Sequence, residues 1–130
     1  MRATMLYGPR DIRVEQRPDP AIREPTDAIL RLSATCICGS DLWPYRGINE
    51  IPEPAPMGHE YCGIVEEVGQ DVRSVKEGQF VIGSFFASDN TCPHCRHGYQ
   101  TSCMRKTPVV GAQAPFVRVP LADGTLVAAR

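Results

Sequence analysis

Residues 58–72 read GHEYCGIVEEVGQDV, and this stretch decides how the rest of the chain is interpreted. Tyr61 to Val68 has the composition of a strand that Gly69 ends, and His59 stands at its entrance after a proline-rich loop. A histidine at such a junction, taken alone, is most often a solvated loop residue. Cys38 follows another strand-like run, and a single cysteine is most often a small buried hydrophobe. The combination of the two residues is what calls for an explanation.

Short strands separated by turns account for most of the chain. Ile12 and Val14 alternate with charged residues, which is the period of a half-buried strand. The predicted strands are Ala3 to Tyr7, Ile12 to Arg17, Ala28 to Ala34, Tyr61 to Val68, Phe80 to Phe86 and Phe116 to Val119. The chain has 12 prolines, 11 glycines and no long amphipathic pattern, which favours a mostly β barrel or sandwich.

The connections between these strands are predicted to be short. We expect one helical turn at Gly39 to Trp43, capped by Ser40 or Asp41, and an irregular loop at Pro44 to Pro56. Gly124 is expected to lie in a turn before the last apolar residues.

Residues 87–108 show no periodicity and are built around cysteines. Cys92 and Cys95 are three positions apart, and Cys103 follows eight positions later. A pair with this spacing on a tight loop brings two sulfurs within reach of one tetrahedral zinc ion. The alternatives are three reduced surface thiols or a redox-active pair. A zinc site is favoured because so aperiodic a loop otherwise has nothing to fold around.

The fourth ligand of this site is predicted from its position. Asp89 lies three residues before Cys92 and continues the same spacing, and its carboxylate is an acceptable though harder zinc ligand. His94 and His97 are the competing candidates.

Composition excludes several classes of function. A chain of 130 residues is long enough for the hydrophobic core of one domain. Its net charge of −1 argues against a basic surface that could bind nucleic acid. No apolar run approaches the ~18 residues of a membrane helix. The first ten residues lack the apolar stretch of a signal peptide. Six cysteines without a sign of secretion favour metal binding or catalysis over disulfides, so we expect a cytoplasmic protein.

Together these motifs resemble a known family. Gly58-His59-Glu60, then Gly63, Gly69 and Val72, match the zinc signature of the medium-chain alcohol dehydrogenases. Cys38-Gly39-Ser40-Asp41 lies upstream of it and the cysteine segment downstream, as in that family. The whole chain, 1–130, thus resembles the N-terminal GroES-like catalytic domain of a zinc-dependent medium-chain dehydrogenase/reductase. The resemblance implies a mostly β, partly open barrel with short helical turns and a zinc lobe, residues 87–108.

The resemblance also implies a role for each matching residue. Cys38 and His59 would be ligands of a catalytic zinc ion, with Glu60 beside the metal as a transient ligand. Asp41 would orient His59, because a metal-bound histidine needs its other ring nitrogen hydrogen-bonded. Ser40 would hydrogen-bond the substrate hydroxyl and pass its proton outward. The three lobe cysteines correspond to three of four structural-zinc ligands: Cys92, Cys95 and Cys103.

Several positions depart from the family pattern. Asp89 replaces the first structural-zinc cysteine, so zinc binding there is expected to be weaker or that ligand lost. Trp43 replaces a histidine that ends the proton relay in many members, and it either lines the substrate cleft or simply packs. Cys36 and Cys62 have no family role, and we expect Cys36 to pack in the core. Pro115 predicts that the closing strand is an edge strand or is bulged.

The implied activity is the interconversion of a small alcohol and an aldehyde or ketone by hydride transfer to NAD or NADP, with zinc polarising the substrate oxygen. No G-x-G-x-x-G phosphate turn is present in the sequence. We therefore expect a fragment of a homo-oligomeric dehydrogenase without its nucleotide-binding Rossmann domain, inactive alone and binding neither nucleic acid nor membrane. The alternative is a non-enzymatic, zinc-stabilised GroES-like binding module, which would not need Cys38, Ser40, Asp41 and His59 together.

Overall fold

Strands dominate the computed structural model, which describes residues 1–52 and 54–129. The strands are β1 (Arg2–Gly8), β2 (Asp11–Gln16), β3 (Ala28–Thr35), β4 (Ala55–Pro56), β5 (Tyr61–Val68), β6 (Phe80–Gly83), β7 (Phe86–Ala87), β8 (Thr107–Pro108), β9 (Phe116–Val119) and β10 (Leu126–Ala128). The helices are α1 (Leu42–Tyr45), α2 (Pro93–Arg96) and α3 (Ala122–Thr125), with 3₁₀ turns at Gly39–Asp41 and Gln100–Ser102. Among the described residues, no helix is both long and apolar enough to cross a membrane.

A five-stranded antiparallel sheet in the order β10-β6-β5-β3-β9 forms the body of the domain. Its longest ladder joins β3 to β5, and Thr35 lies opposite Tyr61 at one end of it. The register shifts between Leu32 and Ala34, next to Gly63. A Cβ on Gly63 would lie 2.3 Å from the carbonyl oxygen of Arg31, so only glycine allows this close approach of the two strands.

A second sheet has the strand order β2-β1-β4. The chain returns from β4 to β1 through Met57, whose amide donates to the carbonyl oxygen of Thr4 at 3.0 Å. The amide of Thr4 in turn donates to the carbonyl oxygen of Gln113 at 3.0 Å. These bonds join the small sheet to the segment that precedes β9.

The hydrophobic core lies against the five-stranded sheet and includes residues from the connections as well as from the strands. Its buried members are Ala28, Leu30, Tyr61, Val65, Val72, Val75, Val81, Ala87, Val109, Ala112, Val117, Val119, Leu121, Ala122 and Leu126. The mostly β architecture predicted from the sequence is therefore present, with open sheets and short helices.

The single strand predicted at Phe80 to Phe86 is instead two strands in different sheets. The chain leaves the large sheet at Gly83, where a Cβ would lie 2.2 Å from the ring of Tyr61. Ser84 then turns the chain, since its Oγ accepts a hydrogen bond from the amide of Phe86 at 3.3 Å. The sequence did not indicate this turn, because Phe85 and Phe86 are residues typical of strands and continue the apolar run that begins at Phe80.

Other local predictions also need correction. The expected loop at 44–56 begins inside α1 and ends in β4, and its residue Glu53 lies outside the described residues. The expected turn at Gly124 is the short helix α3. Cys36 is exposed rather than packed in the core, because it lies beyond the end of β3. Pro115 directly precedes β9, which lies at the edge of its sheet as expected.

Candidate functional site

The β3–β5 ladder brings Cys38 and His59 to the same end of the large sheet. Thr35, the last residue of β3, donates its hydroxyl to the carbonyl oxygen of Glu60 at 2.8 Å, and the amide of Cys36 donates to the same oxygen at 3.3 Å. Cys38 follows this junction by two residues and His59 precedes Glu60, so the two predicted ligands meet. The ligand atoms of Cys38, His59 and Glu60 all lie within 4.8 Å of one another.

A glycine makes the turn that presents His59. Gly58 has φ +97°, a conformation that favours glycine, and a Cβ on it would lie 2.4 Å from the backbone nitrogen of Gln113. The carbonyl oxygen of Gly58 accepts from the amide of Ala112 at 3.0 Å. The backbone immediately before the histidine is therefore held by the segment that leads into β9.

Asp41 holds both metal-ligand candidates in place. Its Oδ2 accepts a hydrogen bond from the amide of Cys38 at 2.9 Å, and its Oδ1 lies 3.3 Å from Nδ1 of His59. The carboxylate is buried, with 8% of its side chain exposed. Of the two predicted cap residues, Asp41 is the N-cap residue of α1, although its side chain makes no cap bond there. The preceding 3₁₀ turn is instead capped by Cys38, and Asp41 reaches back to it.

Nδ1 of His59 faces Asp41, so its other ring nitrogen, Nε2, is the one that can face a metal ion or the Ser40 hydroxyl. Ser40 places its Oγ 3.3 Å from Nε2 of His59. Glu60 is exposed beside them. A thiol, an imidazole, a carboxylate and a hydroxyl therefore lie close together at this end of the sheet.

An aromatic side chain that was not predicted borders this point. Phe85 sets the edge of its ring against His59, with ring centroids 6.3 Å apart and planes at 62°. It gave no signal in the sequence because it belongs to a longer apolar run. Trp43 lies in α1, three residues after Ser40, with 55% of its surface exposed. The Trp43 side chain is therefore not packed in the core of the described residues.

The zinc lobe contains the second cluster, in which all four predicted residues meet. One ligand atom from each of Asp89, Cys92, Cys95 and Cys103 lies within 4.8 Å of the others. The Sγ of Cys92 is 3.5 Å from that of Cys95 and 4.0 Å from that of Cys103. Cys95 and Cys103 are buried, whereas Asp89 and Cys92 are half-buried.

Backbone amides point at the acidic donors of this cluster. The amides of Thr91 and Cys92 both donate to Oδ1 of Asp89, at 2.9 and 3.0 Å. These two bonds hold the pKa of Asp89 well below its usual range. The Sγ of Cys103 accepts from the amides of Asp89 and Arg105, at 3.4 and 3.3 Å.

The two thiols of the Cys-Pro-His-Cys motif have different pKa values. Hydrogen bonds from the amides of Met104 and Cys95 lower the pKa of Cys92 to about 7. Burial raises the pKa of Cys95 to about 12, and the neighbouring thiols add to that rise. Of these two thiols, Cys92 ionises at the lower pH.

The competing histidines lie outside this cluster. Nδ1 of His94 donates to the carbonyl oxygen of Ser102 at 2.6 Å, and Nδ1 of His97 donates to that of Pro93 at 2.7 Å. Both rings are exposed and are fixed by these bonds. The geometry therefore favours Asp89 as the fourth donor.

The lobe is attached to the body of the domain at its first residues. Ser88 is buried, and its Oγ donates to the carbonyl oxygen of Gly124 at 2.8 Å. Its amide donates to Oγ1 of Thr125 at 3.2 Å. A Cβ on Gly124 would lie 2.1 Å from the carbonyl oxygen of Ser88, so α3 packs directly on the start of the lobe.

Comparison with known proteins defines the class to which this fold and these clusters belong. Residues 24–128 match the alcohol dehydrogenase GroES-like domain family, and the chain belongs to that family. The mostly β, GroES-like fold and the family predicted from the sequence are thereby confirmed.

Individual relatives agree with this assignment. The zinc-type alcohol dehydrogenase B of Aspergillus flavus is 38% identical over 99% of this chain and 31% of its own length. The medium chain reductase/dehydrogenase ucsI of Acremonium sp is 39% identical over 99% of this chain and 46% of its own length. The alcohol dehydrogenase TADH from Thermus sp. ATN1 superposes with a TM-score of 0.93 at 32% identity, over 100% of this chain and 40% of that one. The chain thus spans less than half the length of these relatives.

Proposed function

We propose that this chain is the catalytic portion of a zinc-dependent dehydrogenase that interconverts an alcohol and an aldehyde or ketone by hydride exchange with NAD or NADP. The observation that carries the proposal is the convergence of Cys38, His59 and Glu60 within 4.8 Å, with the Ser40 hydroxyl beside them. A protein that used this fold only as a binding scaffold would have no need of that set.

The donors at the end of the β3–β5 ladder fit a zinc ion. Thiolate, imidazole and carboxylate are the three side-chain types that bind zinc in proteins. Cys38, Nε2 of His59 and Glu60 would hold the metal, since Nδ1 of His59 already faces Asp41 at 3.3 Å. Zinc at this place would supply a Lewis acid for the oxygen of an alcohol or a carbonyl compound.

Ser40 and Asp41 then have separate tasks. Asp41 fixes the ring of His59 and, through the amide of Cys38, the backbone of the other ligand. Ser40 holds the substrate hydroxyl and accepts its proton at Oγ, because a hydroxyl both donates and accepts. The indole of Trp43 only donates a hydrogen bond, so the proton passes from Ser40 to water rather than along a side-chain relay. We propose that Trp43 lines the substrate cleft together with Phe85.

The zinc lobe would hold a structural zinc ion. Its donors are three thiols and one carboxylate, and Oδ1 of Asp89 is already bonded to two amides. We assign Oδ2 of Asp89 to the metal together with Cys92, Cys95 and Cys103. A carboxylate is a harder donor than a thiolate, which makes this site weaker than one with four cysteines.

Residues 1–130 on this proposal are a GroES-like catalytic domain that works with a nucleotide-binding domain in a homo-oligomer. A reducing compartment such as the cytoplasm suits the six cysteines, all of which are free. The 130-residue polypeptide assayed alone should show no turnover. Positioning the nicotinamide against the substrate supplies roughly 7–11 kcal/mol of the barrier, and the chain carries no G-x-G-x-x-G turn to bind the dinucleotide.

A chimera tests the proposal. The 130 residues are joined to the part of the Thermus alcohol dehydrogenase that they do not cover, and NAD and NADP reduction is followed with primary, secondary and polyol substrates. We expect turnover by the chimera that is lost on chelation and restored by zinc, and none by the 130-residue polypeptide. Cys38→Ser should abolish it, and the matched exchange Cys62→Ser should not, because Cys62 lies outside both clusters.

Two outcomes would contradict the proposal. One is a folded chimera that binds the dinucleotide but turns over no alcohol. The other is turnover that survives Cys38→Ser.

A further inference from the structure

Cys92 and Cys95 are placed to react with each other as well as to bind a metal. Their Sγ atoms are 3.5 Å apart, and a disulfide needs about 2.05 Å, so an approach of roughly 1.5 Å closes the bond. The two residues are separated only by Pro93 and His94 at the start of α2. Small side-chain rotations therefore suffice, and the sheets need not move.

We propose that the metal-free lobe forms a reversible Cys92–Cys95 disulfide, with a low-molecular-weight disulfide as the oxidant. The pairing itself stands on the thiol geometry, whereas its competition with zinc rests on the structural zinc site proposed above. On this proposal Cys92 and Cys95 have two alternative states, a disulfide in the metal-free lobe and a pair of ligands in the zinc-bound lobe.

Exposure decides which sulfur reacts first. Cys92 is half-buried, whereas Cys95 and Cys103 are each only 3% exposed. A solution oxidant therefore reaches Cys92, and Cys95 is the nearer of the two buried thiols that can complete the exchange. Cys103 is the less favoured partner, because its Sγ is 4.0 Å from Cys92 and is held by the amides of Asp89 and Arg105.

The exchange balances in two steps. The Cys92 thiolate attacks one sulfur of the oxidant, forms a mixed disulfide and expels one small thiolate. Cys95 then loses its proton, attacks the Cys92 sulfur and expels the second small thiolate. Two electrons pass from the protein thiols to the oxidant, which becomes two small thiols, and excess small thiol reverses both steps.

Asp89 gives this lobe one possible internal disulfide at a time. A lobe with four cysteines could form two disulfides. Because the fourth donor here is a carboxylate, only one disulfide can form, and the Cys103 thiol stays unpaired. The disulfide also removes two of the four donors that zinc needs, so zinc and the disulfide exclude each other.

Peptide mapping tests the pairing on the 130-residue chain. The reduced, metal-free protein and its zinc-saturated form are treated with oxidised glutathione, quenched with iodoacetamide and digested with trypsin. Cleavage after Lys76, Arg96 and Arg105 places Cys92 and Cys95 together in peptide 77–96 and Cys103 in peptide 97–105. The Cys92–Cys95 disulfide, internal to peptide 77–96, is therefore distinguishable by mass from either disulfide to Cys103, because each of those joins peptides 77–96 and 97–105.

We expect peptide 77–96 two hydrogens lighter and unalkylated in the metal-free protein, with Cys103 alkylated. Saturation with zinc should slow this oxidation at least tenfold. Cys103→Ser should keep the light peptide, whereas Cys95→Ser should leave glutathione attached to peptide 77–96.

The outcomes separate this inference from the proposed function. A cross-link between peptides 77–96 and 97–105, or full alkylation of all three thiols, overturns the pairing. Equal oxidation with and without bound zinc overturns the competition. A lobe that forms the disulfide but retains no zinc leaves the pairing standing and removes the structural zinc site.

Discussion

Arg118→Met should destabilise the domain by about 3 kcal/mol, because it leaves a fully buried carboxylate without its counter-charge. Asp27 is 0% exposed at the start of β3, and its Oδ2 accepts from Arg118 of β9 at 2.8 Å. Its Oδ1 is buried with no hydrogen-bond partner among the described residues.

The magnitude follows from what the substitution leaves behind. Removing one partner of a buried ion pair costs about 3–5 kcal/mol. Two donors remain on Oδ2, the amides of Arg23 and Glu24 at 3.0 and 2.9 Å, and the Arg118 side chain is 27% exposed. Both facts place the expected loss at the lower end of that range. Methionine keeps the apolar stem of the side chain, so the lost packing is small.

Urea unfolding followed by circular dichroism measures this loss. With a slope of about 2 kcal/mol per molar urea, the midpoint should fall by about 1.5 M at an unchanged slope. Arg31→Met is the matched control, since the Arg31–Glu66 pair is half exposed on both sides and should contribute less than about 1 kcal/mol. Equal midpoints for Arg118→Met and Arg31→Met would refute the argument. Asp27→Asn combined with Arg118→Met should recover part of the loss, because it removes the buried charge.

Three further predictions concern the other carboxylates. Asp89→Cys should tighten zinc binding in competition with a chromophoric chelator, since thiolate suits zinc better than carboxylate; unchanged or weaker affinity would assign the fourth ligand to His94 or His97. Asp41→Asn should weaken zinc at the Cys38–His59 site about 10–100-fold in a calorimetric titration, because the imidazole loses its orienting acceptor, and an unchanged affinity would contradict that role. Burial opposes ionisation of Asp123, but hydrogen bonds from the amides of Ser74 and Arg73 outweigh it and hold its pKa below the ordinary value. Its contribution to stability is therefore present above the unfolded pKa of ~3.9 and lost as the pH falls through the folded value. The gap in urea midpoint between the native chain and Asp123→Asn should shrink as the pH is lowered from about 5 toward 2, and a constant gap would exclude this titration.

The motifs in the sequence predicted most of the two clusters. Gly58, Gly63 and Gly69 each stand where a Cβ would lie within 2.4 Å of backbone atoms of another segment. That steric requirement is why their spacing identifies the fold so well. The meeting of Cys38 and His59 was predicted only through the family resemblance, and in the structure it depends on the antiparallel pairing of β3 with β5.

What the sequence did not predict depends on contacts between distant segments. At the turn after Gly83, the Tyr61 ring from another strand fills the space where a side chain on Gly83 would lie. Phe85 reaches His59 only through that turn. The ion pair of Asp27 with Arg118 joins residues 91 positions apart, and no local pattern marks it. The sequence also left the fourth donor of the cysteine cluster open between Asp89 and the two histidines. The structure favours Asp89 because His94 and His97 are hydrogen-bonded to backbone carbonyl oxygens.

The zinc content of the chain tests the central claim most directly. The protein is expressed in medium supplemented with zinc and exchanged into buffer freed of metal by a chelating resin. Native mass spectrometry then gives the number of zinc ions bound per chain. We predict one tightly held zinc ion per chain, retained in His59→Ala and lost in Cys103→Ser, and a second, weaker zinc ion that His59→Ala removes. A native chain that retains no zinc, or one that keeps its zinc in Cys103→Ser, would contradict the account.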